Sequence, residues 1–417
     1  MKNSEKLVIN GKSYTLTQND RNKCFLEDAS EDAEDPKIIF IYDYKKWNQR
    51  EKVESAYVCG SFTSWVENPA FKMTECKELS LQYLCLPKSK IIGVGNSSHP
   101  EFNFCVNGNY QNLEEVTFIP KAYVFPSFSK NLALIYSDEN LEEVEKQFEL
   151  AGKIKKLSDF DLSTRLGQEE ISNFRLVPGT KALFRSFHPF YSTGGRSMLF
   201  ETEKKRIELV QKLAEEEGIK SDINLTDDYT VFAGEEVKWL DGTEGKVVIP
   251  AYYQKIIDSK SVCNVMSEAG IVPTYDYVYT KPRDPLFYEW VKVIIAFIID
   301  ENHQAPFQIH CAIGTDRTGV FSALLGALCG ASWKEVSEDY EKTNRMGIRE
   351  YRSKSLLAQS LKSFLGLQDL SSVEDLQKTL WNVFTSKEIC GKSVLSVEML
   401  CALVKKLGGR LPRGLTF

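Results

Sequence analysis

"IHCAIGTDRTGV", Ile309 to Val320, is the stretch whose reading decides the C-terminal fold. Before it stands "PFQIH", a short apolar run of strand type. After it stands "TGVFSALLGALCG", an apolar run of helical length that stops at glycine. The segment therefore reads as a buried strand, a tight loop containing Gly314, and a helix N-terminus. In open α/β sheets ligands bind at the carboxyl ends of strands. Helix N-termini present unpaired N–H groups and the positive end of the dipole. A loop curling at that place points a ring of N–H groups at one anion.

Cys311 falls at the strand's end and Arg317 lies six residues later, a spacing that turns thiol and guanidinium toward the same anion. The dipole, the N–H ring and the arginine all favour thiolate over thiol. A thiolate attacks phosphorus and forms a covalent intermediate. Arg317 holds two phosphoryl oxygens in its planar fork. Ala312, Ile313, Gly314 and Thr315 supply the cradle, and Thr318 is placed to donate to the departing sulfur. His310 is expected to hydrogen-bond loop backbone and support the curl. The plain alternative is a core cysteine and a surface arginine. The order His, Cys, Gly, Arg, Thr, Gly at a strand-to-helix junction argues against it.

Outward from this loop, strands and helices alternate from about Gly167. "KALFRS" and "IKSDINL" read as strands, and "ETEKKRIELVQKLAEEEG", Glu201 to Gly218, as an amphipathic helix with a glycine cap. "DPLFYEWVKVIIAFIIDE" starts on Asp284 as N-cap with Pro285 in the first turn. "SWKEVSEDYEKTN" and "SVLSVEMLCALVKKLGG" are further helices. Such alternation predicts an α/β domain with a mainly parallel sheet flanked by helices.

The N-terminal third has a different texture. "KIIFIYDY", "SAYVCGSF", "LSLQYLCLP" and "EFNFCVNGNY" are short β-branched and aromatic runs between turn signals. Asn107-Gly108 is a hairpin signal. An all-β immunoglobulin-like sandwich is expected over 1–136, a helical connection over 137–166, and the α/β catalytic domain over 167–417. Residues 1 to about 30 suggest one or two strands, and "EDASEDAEDP", Glu27 to Pro36, an acidic turn.

A chain of 417 residues exceeds one ordinary core. Hydrophobic residues at 42% and aromatics at 12% mark a packed globular protein, and a net charge of -6 argues against a dedicated nucleic-acid binder. None of the ten cysteines forms a CxxC pair, and no histidine pair has ligand spacing, so neither metal nor cofactor is expected. No apolar run reaches about 18 residues, so no membrane span is expected. Without an apolar leader the chain is assigned to the cytoplasm, although a cleaved secreted precursor would read the same.

"HCAIGTDRTG" resembles the signature loop of the cysteine-dependent protein tyrosine phosphatase superfamily, and its Asp-Arg-Thr-Gly ending resembles the bacterial atypical tyrosine phosphatases. "LVPGTKALFRSFHPF", "LAEEEGIKSDINL" and "LGALCGASWKEVSEDYEKTN" are similar to other segments of that group, over roughly Asn173 to Gly409. The resemblance implies a phosphomonoester hydrolase working through a cysteinyl-phosphate. Relatives that take inositol phosphates often carry lysine after the loop glycine; here Thr315 stands there. This favours phosphotyrosine in proteins, with inositol phosphate, phosphoinositide, phosphoglucan or a phospho-binding scaffold as alternatives. The stretch "INLTDDY" lacks the Leu-Arg pair common in relatives.

Hydrolysis also needs a proton for the leaving oxygen. Asp316 is the leading candidate, as the resemblance implies; its plainer role is to orient Arg317 or loop backbone. Asp284 is the second candidate, with a plain N-cap as its alternative, and Asp276 the third. The N-terminal stretches "AYVCGSFTSWVENPAFKMT" and "EFNFCVNGNYQ" resemble glycogen- and starch-binding β-sandwiches, which stack aromatic rings on glucose. Trp65 and Tyr110 match two such positions, while Asn103 stands where a sugar-contacting lysine is common. A glucan is thus the second expected partner, against a plain sandwich with Trp65 in its core.

Overall fold

The computed structural model describes residues 6–33, 35–44, 52–111, 131–190, 200–226, 233–238, 242–266, 277–282, 284–367, 370, 375–386 and 395–413. The chain divides into two compact units, Met1–Gly152 and Lys153–Phe417. The division lies inside the stretch read as a connection. Its helix, Leu141–Gly152, closes the first unit, and Lys153 onward belongs to the second.

The first unit is β-rich. Strands β1 (Lys6–Ile9) and β2 (Lys12–Thr15) form a hairpin about Asn10 and Gly11, both at positive φ. A helix, α1 (Gln18–Lys23), which was not expected, follows the two strands. Thr17 and Asp20 cap it reciprocally, a box that outweighs the weak alternation of the surrounding sequence. One sheet pairs β3 (Phe25–Asp28), β4 (Lys37–Asp43), β7 (Leu81–Pro87) and β6 (Thr74–Cys76). The other holds β5 (Ala56–Gly60), β8 (Glu101–Val106), β9 (Asn109–Tyr110) and β10 (Leu132–Ala133). Asn107 and Gly108, at φ 49° and 78°, make the tight β8–β9 turn that an Asn-Gly pair is suited to. All seven residues of β4 but Lys37 are buried, which explains its unbroken apolar run.

The two sheets meet through aromatic rings. Phe102 on β8 stands edge-on to Phe25 of β3, Phe40 of β4 and Phe104.

The second unit is α/β. Its sheet runs β11 (Arg175–Leu176), β12 (Leu183–Ser186), β17 (Phe307–His310), β13 (Ser221–Asn224), β16 (Val262–Asn264). The small hairpin of β14 (Glu236–Lys238) and β15 (Glu244–Lys246) stands apart from it. The sheet expected to be mainly parallel is mixed. The pairings of β12, β17, β13 and β16 are parallel, and β11 is antiparallel to β12. The short link 177–182 through Pro178 and Gly179 can only reverse the chain, so it sets that edge.

Helix α2 (Leu141–Gly152) belongs to the first unit; the second holds α3 (Arg165–Ser172), α4 (Phe200–Glu216), α5 (Ala251–Asp258), α6 (Tyr277–Thr280), α7 (Pro285–Ile299), α8 (Asp316–Leu328), α9 (Trp333–Lys342), α10 (Lys354–Leu365), α11 (Leu376–Thr385) and α12 (Val397–Leu407). Asp284 caps α7 by accepting from Leu286 N at 3.0 Å, with Pro285 at its first turn. Ser332 and Glu335 cap α9 in a box, and Gly408 ends α12 in the left-handed conformation. Every residue of α8 but Arg317 is buried, so the helix has no polar face and reads as a continuous apolar run.

Replacing Phe102 by Ala removes the ring shared by both sheets of the first unit. The expected cost is about 3–5 kcal/mol, read as a lower urea midpoint at unchanged m-value.

Candidate active site

β17 occupies the middle of its sheet, with β12 bonded to one edge and β13 to the other, and all four of its residues are buried. Cys311 leaves its carboxyl end and is itself buried, at 3% exposure. The turn that follows needs Gly314. Its φ is +79°, and a Cβ there would overlap the Ser186 carbonyl oxygen of β12. Helix α8 then starts at Asp316. Its N-cap, Thr315, does not cap a first-turn backbone N–H with its side chain. The first-turn N–H groups are thus left for a ligand at the dipole's positive end.

Among the described residues Arg317 is tied at one nitrogen: Nη1 donates to the Leu225 carbonyl at 2.7 Å and lies 3.6 Å from the Met266 sulfur. Its Nε is buried and has no hydrogen-bond partner among the described residues. The same holds for the Thr318 hydroxyl, whose residue is fully buried. Buried donors are normally satisfied. Two such donors at a helix N-terminus, one residue apart, suit an oxyanion.

His310 differs from expectation in its shown partner. Its Nε2 lies 3.1 Å from Asp222 Oδ2 on the neighbouring strand, not on loop backbone. The ring of His188 stands edge-on to it, with centroids 4.8 Å apart. Both histidines are buried, and the groups shown against the His310 ring come from Asp222 on β13 and from His188, just past the end of β12.

Asp316 is buried and heavily engaged. Oδ1 accepts from Arg352 Nε at 2.5 Å and from the Tyr279 hydroxyl at 2.9 Å; Oδ2 accepts from Thr315 Oγ1 at 3.2 Å. Tyr279 also bonds Tyr340 at 2.6 Å, and the Tyr340 ring packs where a Cβ on Gly319 would come within 2.7 Å. Burial pulls against the Arg352 charge, but Asp316 and Glu350 more than offset it and hold the guanidinium above the usual arginine range. Burial first, then the neighbouring Asp316 and Tyr340, pushes the Tyr279 phenol well up, against the opposing pull of Arg352. Asp284 is half-buried at the start of α7, and Asp276 lies outside the described residues. Thr315 is buried at 2% exposure and carries no charge.

Cys311, Gly314, Thr315, Arg317 and Thr318 are therefore gathered on one loop and one helix start, as the sequence spacing predicts. Arg352, Tyr279, Tyr340 and Asp222 were not read as site residues. Tyr340 lies in the Asp-Tyr-x-x-Thr segment, Arg352 in "NRMGIREYRSKS" and Tyr279 in "TYDYVYT", and none of these stretches by itself assigns its residue a role.

Residues 266–388, which span the cradle and helices α6 to α11, match the model of the tyrosine phosphatase family. The C-terminal unit carries a tyrosine phosphatase family domain. It is a protein-tyrosine-phosphatase-like phosphatase. No curated protein matches the chain. In the phosphatase domain no helix among the described residues is long and apolar enough to cross a membrane. Among the described residues no group of three or more His, Cys, Asp and Glu could hold a metal ion.

Burial, with His310 and Arg317 nearby, keeps His188 neutral well below the ordinary histidine range. The unfolded chain takes up a proton near pH 6.5 and the folded one does not, so stability is full above that pH and falls below it. Denaturation between pH 7 and pH 5 should show a slope of up to about 1.4 kcal/mol per pH unit from this group, and His188→Asn should flatten it.

Proposed function

We propose that the C-terminal domain hydrolyses phosphomonoesters through a cysteinyl-phosphate at Cys311. The single observation that carries this reading is the convergence of a buried cysteine, a helix N-terminus without a side-chain cap, and the unpartnered Arg317 Nε and Thr318 hydroxyl. Sγ attacks phosphorus, the P–O bond breaks, and the leaving oxygen takes a proton. Water then attacks phosphorus and gives a proton to the carboxylate that protonated the leaving oxygen, the S–P bond breaks, and phosphate departs with the Cys311 thiolate restored. Arg317 and the loop N–H groups stabilise the charge on the equatorial oxygens.

We assign proton delivery to Asp284. Both oxygens of Asp316 already accept from Arg352, Tyr279 or Thr315, an arrangement suited to an orienting carboxylate. Asp284 opens the helix that crosses back to β17, and a crossover helix starts at the carboxyl edge of the sheet, where the cradle lies. Tyr279, five residues earlier, already touches Asp316. A phosphotyrosine protein substrate fits best, because buried Thr315 supplies no cation for additional phosphates.

Cys311→Ser should abolish turnover of p-nitrophenyl phosphate. Asp284→Asn should slow phosphotyrosine peptide hydrolysis by about 10²–10⁴-fold and affect 2,4-dinitrophenyl phosphate far less, since that leaving group needs no proton. Should Asp316→Asn show this split and Asp284→Asn slow both substrates alike, the donor is Asp316. Faster turnover of inositol polyphosphates or phosphoglucan than of phosphotyrosine peptides would overturn the substrate class.

For the N-terminal unit we read an immunoglobulin-like sandwich with a sugar-facing pair. Tyr110 is 46% exposed and its hydroxyl donates to the Trp65 carbonyl, so the two aromatic residues are neighbours and Trp65 is only partly buried. Asn103 takes no part: it is fully buried, and it bonds Phe104 N and the Gln111 carbonyl. Retention of the chain on amylopectin should fall for Trp65→Ala; equal retention removes the sugar reading.

A further inference from the structure

The Gly314 carbonyl, at the back of the cradle, is held by two buried donors from outside the signature loop. Asn173 Nδ2 donates to it at 2.9 Å and Arg185 Nη2 at 2.8 Å. Both residues are 1% exposed. Each donor is itself locked. Arg185 Nη1 pairs with Asp339 Oδ2 at 3.0 Å, and Nη2 also reaches the Thr343 hydroxyl at 3.2 Å. Arg175 pairs with Asp339 Oδ1 at 2.5 Å, and its Nη1 donates to Asn173 Oδ1. Asn173 thus has its oxygen facing an arginine and its amide nitrogen facing Gly314, so its amide orientation is set by its neighbours.

A trans peptide is planar, with its C=O and the following N–H on opposite sides. Pinning the Gly314 oxygen toward Asn173 and Arg185 therefore points the Thr315 N–H the other way. The back of the loop faces β12, as the close approach of Gly314 to Ser186 shows, so that N–H faces the interior of the cradle. The network also carries charge. Two guanidiniums share one carboxylate, which leaves one positive charge behind the loop. Burial, then the neighbouring Arg175, lowers Arg185 to about 10, so it remains charged at neutral pH.

Building on the phosphatase reading above, we propose that Asn173 and Arg185 are positioning residues for the phosphate cradle. They fix the Gly314–Thr315 peptide so that one N–H is preset toward the anion, and with Arg175 and Asp339 they place a net positive charge behind it. Neither touches substrate.

The test uses Asn173→Gly and Asn173→Asp in the full chain. Asn173 ends α3 at φ 54°, so glycine keeps the left-handed cap and removes only the amide. Three quantities are measured: vanadate affinity, the pH dependence of Cys311 alkylation by iodoacetate, and melting temperature. The expected result is a loss of vanadate affinity of about 10–100-fold for Asn173→Gly, short of the ~10²–10³-fold effect of deleting an oxyanion donor outright. Asn173→Asp should lose more, and in both variants the alkylation profile should move to higher pH. Leu403→Ala, which opens a hole at a fully buried position of α12, a helix that holds no cradle residue, should lower the melting temperature with affinity and profile unchanged. If the Asn173 variants melt earlier yet bind vanadate and alkylate as the wild type does, the residue is structural only and the inference is wrong. A wild type that binds no vanadate and alkylates as an ordinary thiol overturns the phosphatase reading itself, and the clamp with it.

Discussion

The C-terminal unit depends on one constraint: β17 is hydrogen-bonded along both edges, to β12 and to β13, in a single register. Side chains alternate along a strand, so a slip of one residue would exchange the two faces of β17 and carry Cys311 away from the loop's interior. Parallel ladders on both sides forbid that slip. The same pairing sets Ser186 beside His310, which brings the Ser186 carbonyl against Gly314 and leaves space for no side chain there. The turn into α8 follows from that close approach, and the helix N-terminus lands at the sheet's carboxyl edge as a consequence.

Around this frame the domain buries charge that it could have left in water. Arg185, Arg206 and Arg352 are each 1% exposed, and each faces a carboxylate: Asp339, Glu203, and Asp316 with Glu350. Buried ion pairs gain little net stability, but removing one partner costs about 3–5 kcal/mol because the other charge is stranded. Two of the three arginines end on the cradle, Arg185 through the Gly314 carbonyl and Arg352 through Asp316. Asp316, which looks misplaced beside an anion site, has its charge compensated by Arg352. The loop can then present net positive potential to a phosphate.

Much of this was legible beforehand. The strand-loop-helix reading of Ile309 to Val320, the Asp284 cap of α7, the Ser332 start of α9 and the Asn107-Gly108 hairpin all rest on local chemistry, and the structure has them where local chemistry puts them. Helix α1 was missed because a capping box in a short polar segment competes with weak alternation. The mixed sheet was missed because β11 is two residues long and its direction is set by the link at Pro178-Gly179, not by periodicity. His310 was expected on loop backbone; its shown bond runs to Asp222, on a strand 88 residues earlier in the chain.

The sequence alone determined which residues fall together within ten consecutive positions: Cys311 at a strand end, Gly314 at the turn, Arg317 and Thr318 in the first turn of a helix. Those relations are local, so spacing suffices to read them. Tertiary structure alone decided what surrounds them. Asn173 and Arg185 meet Gly314, Asp339 meets Arg185, and Arg352 and Tyr279 meet Asp316, from 36 to 154 residues apart. A charge or a hydrogen-bond donor has no sequence period that names its partner. Only the packing of β11, β12, α6 and α9 around β17 brings those groups within reach of each other.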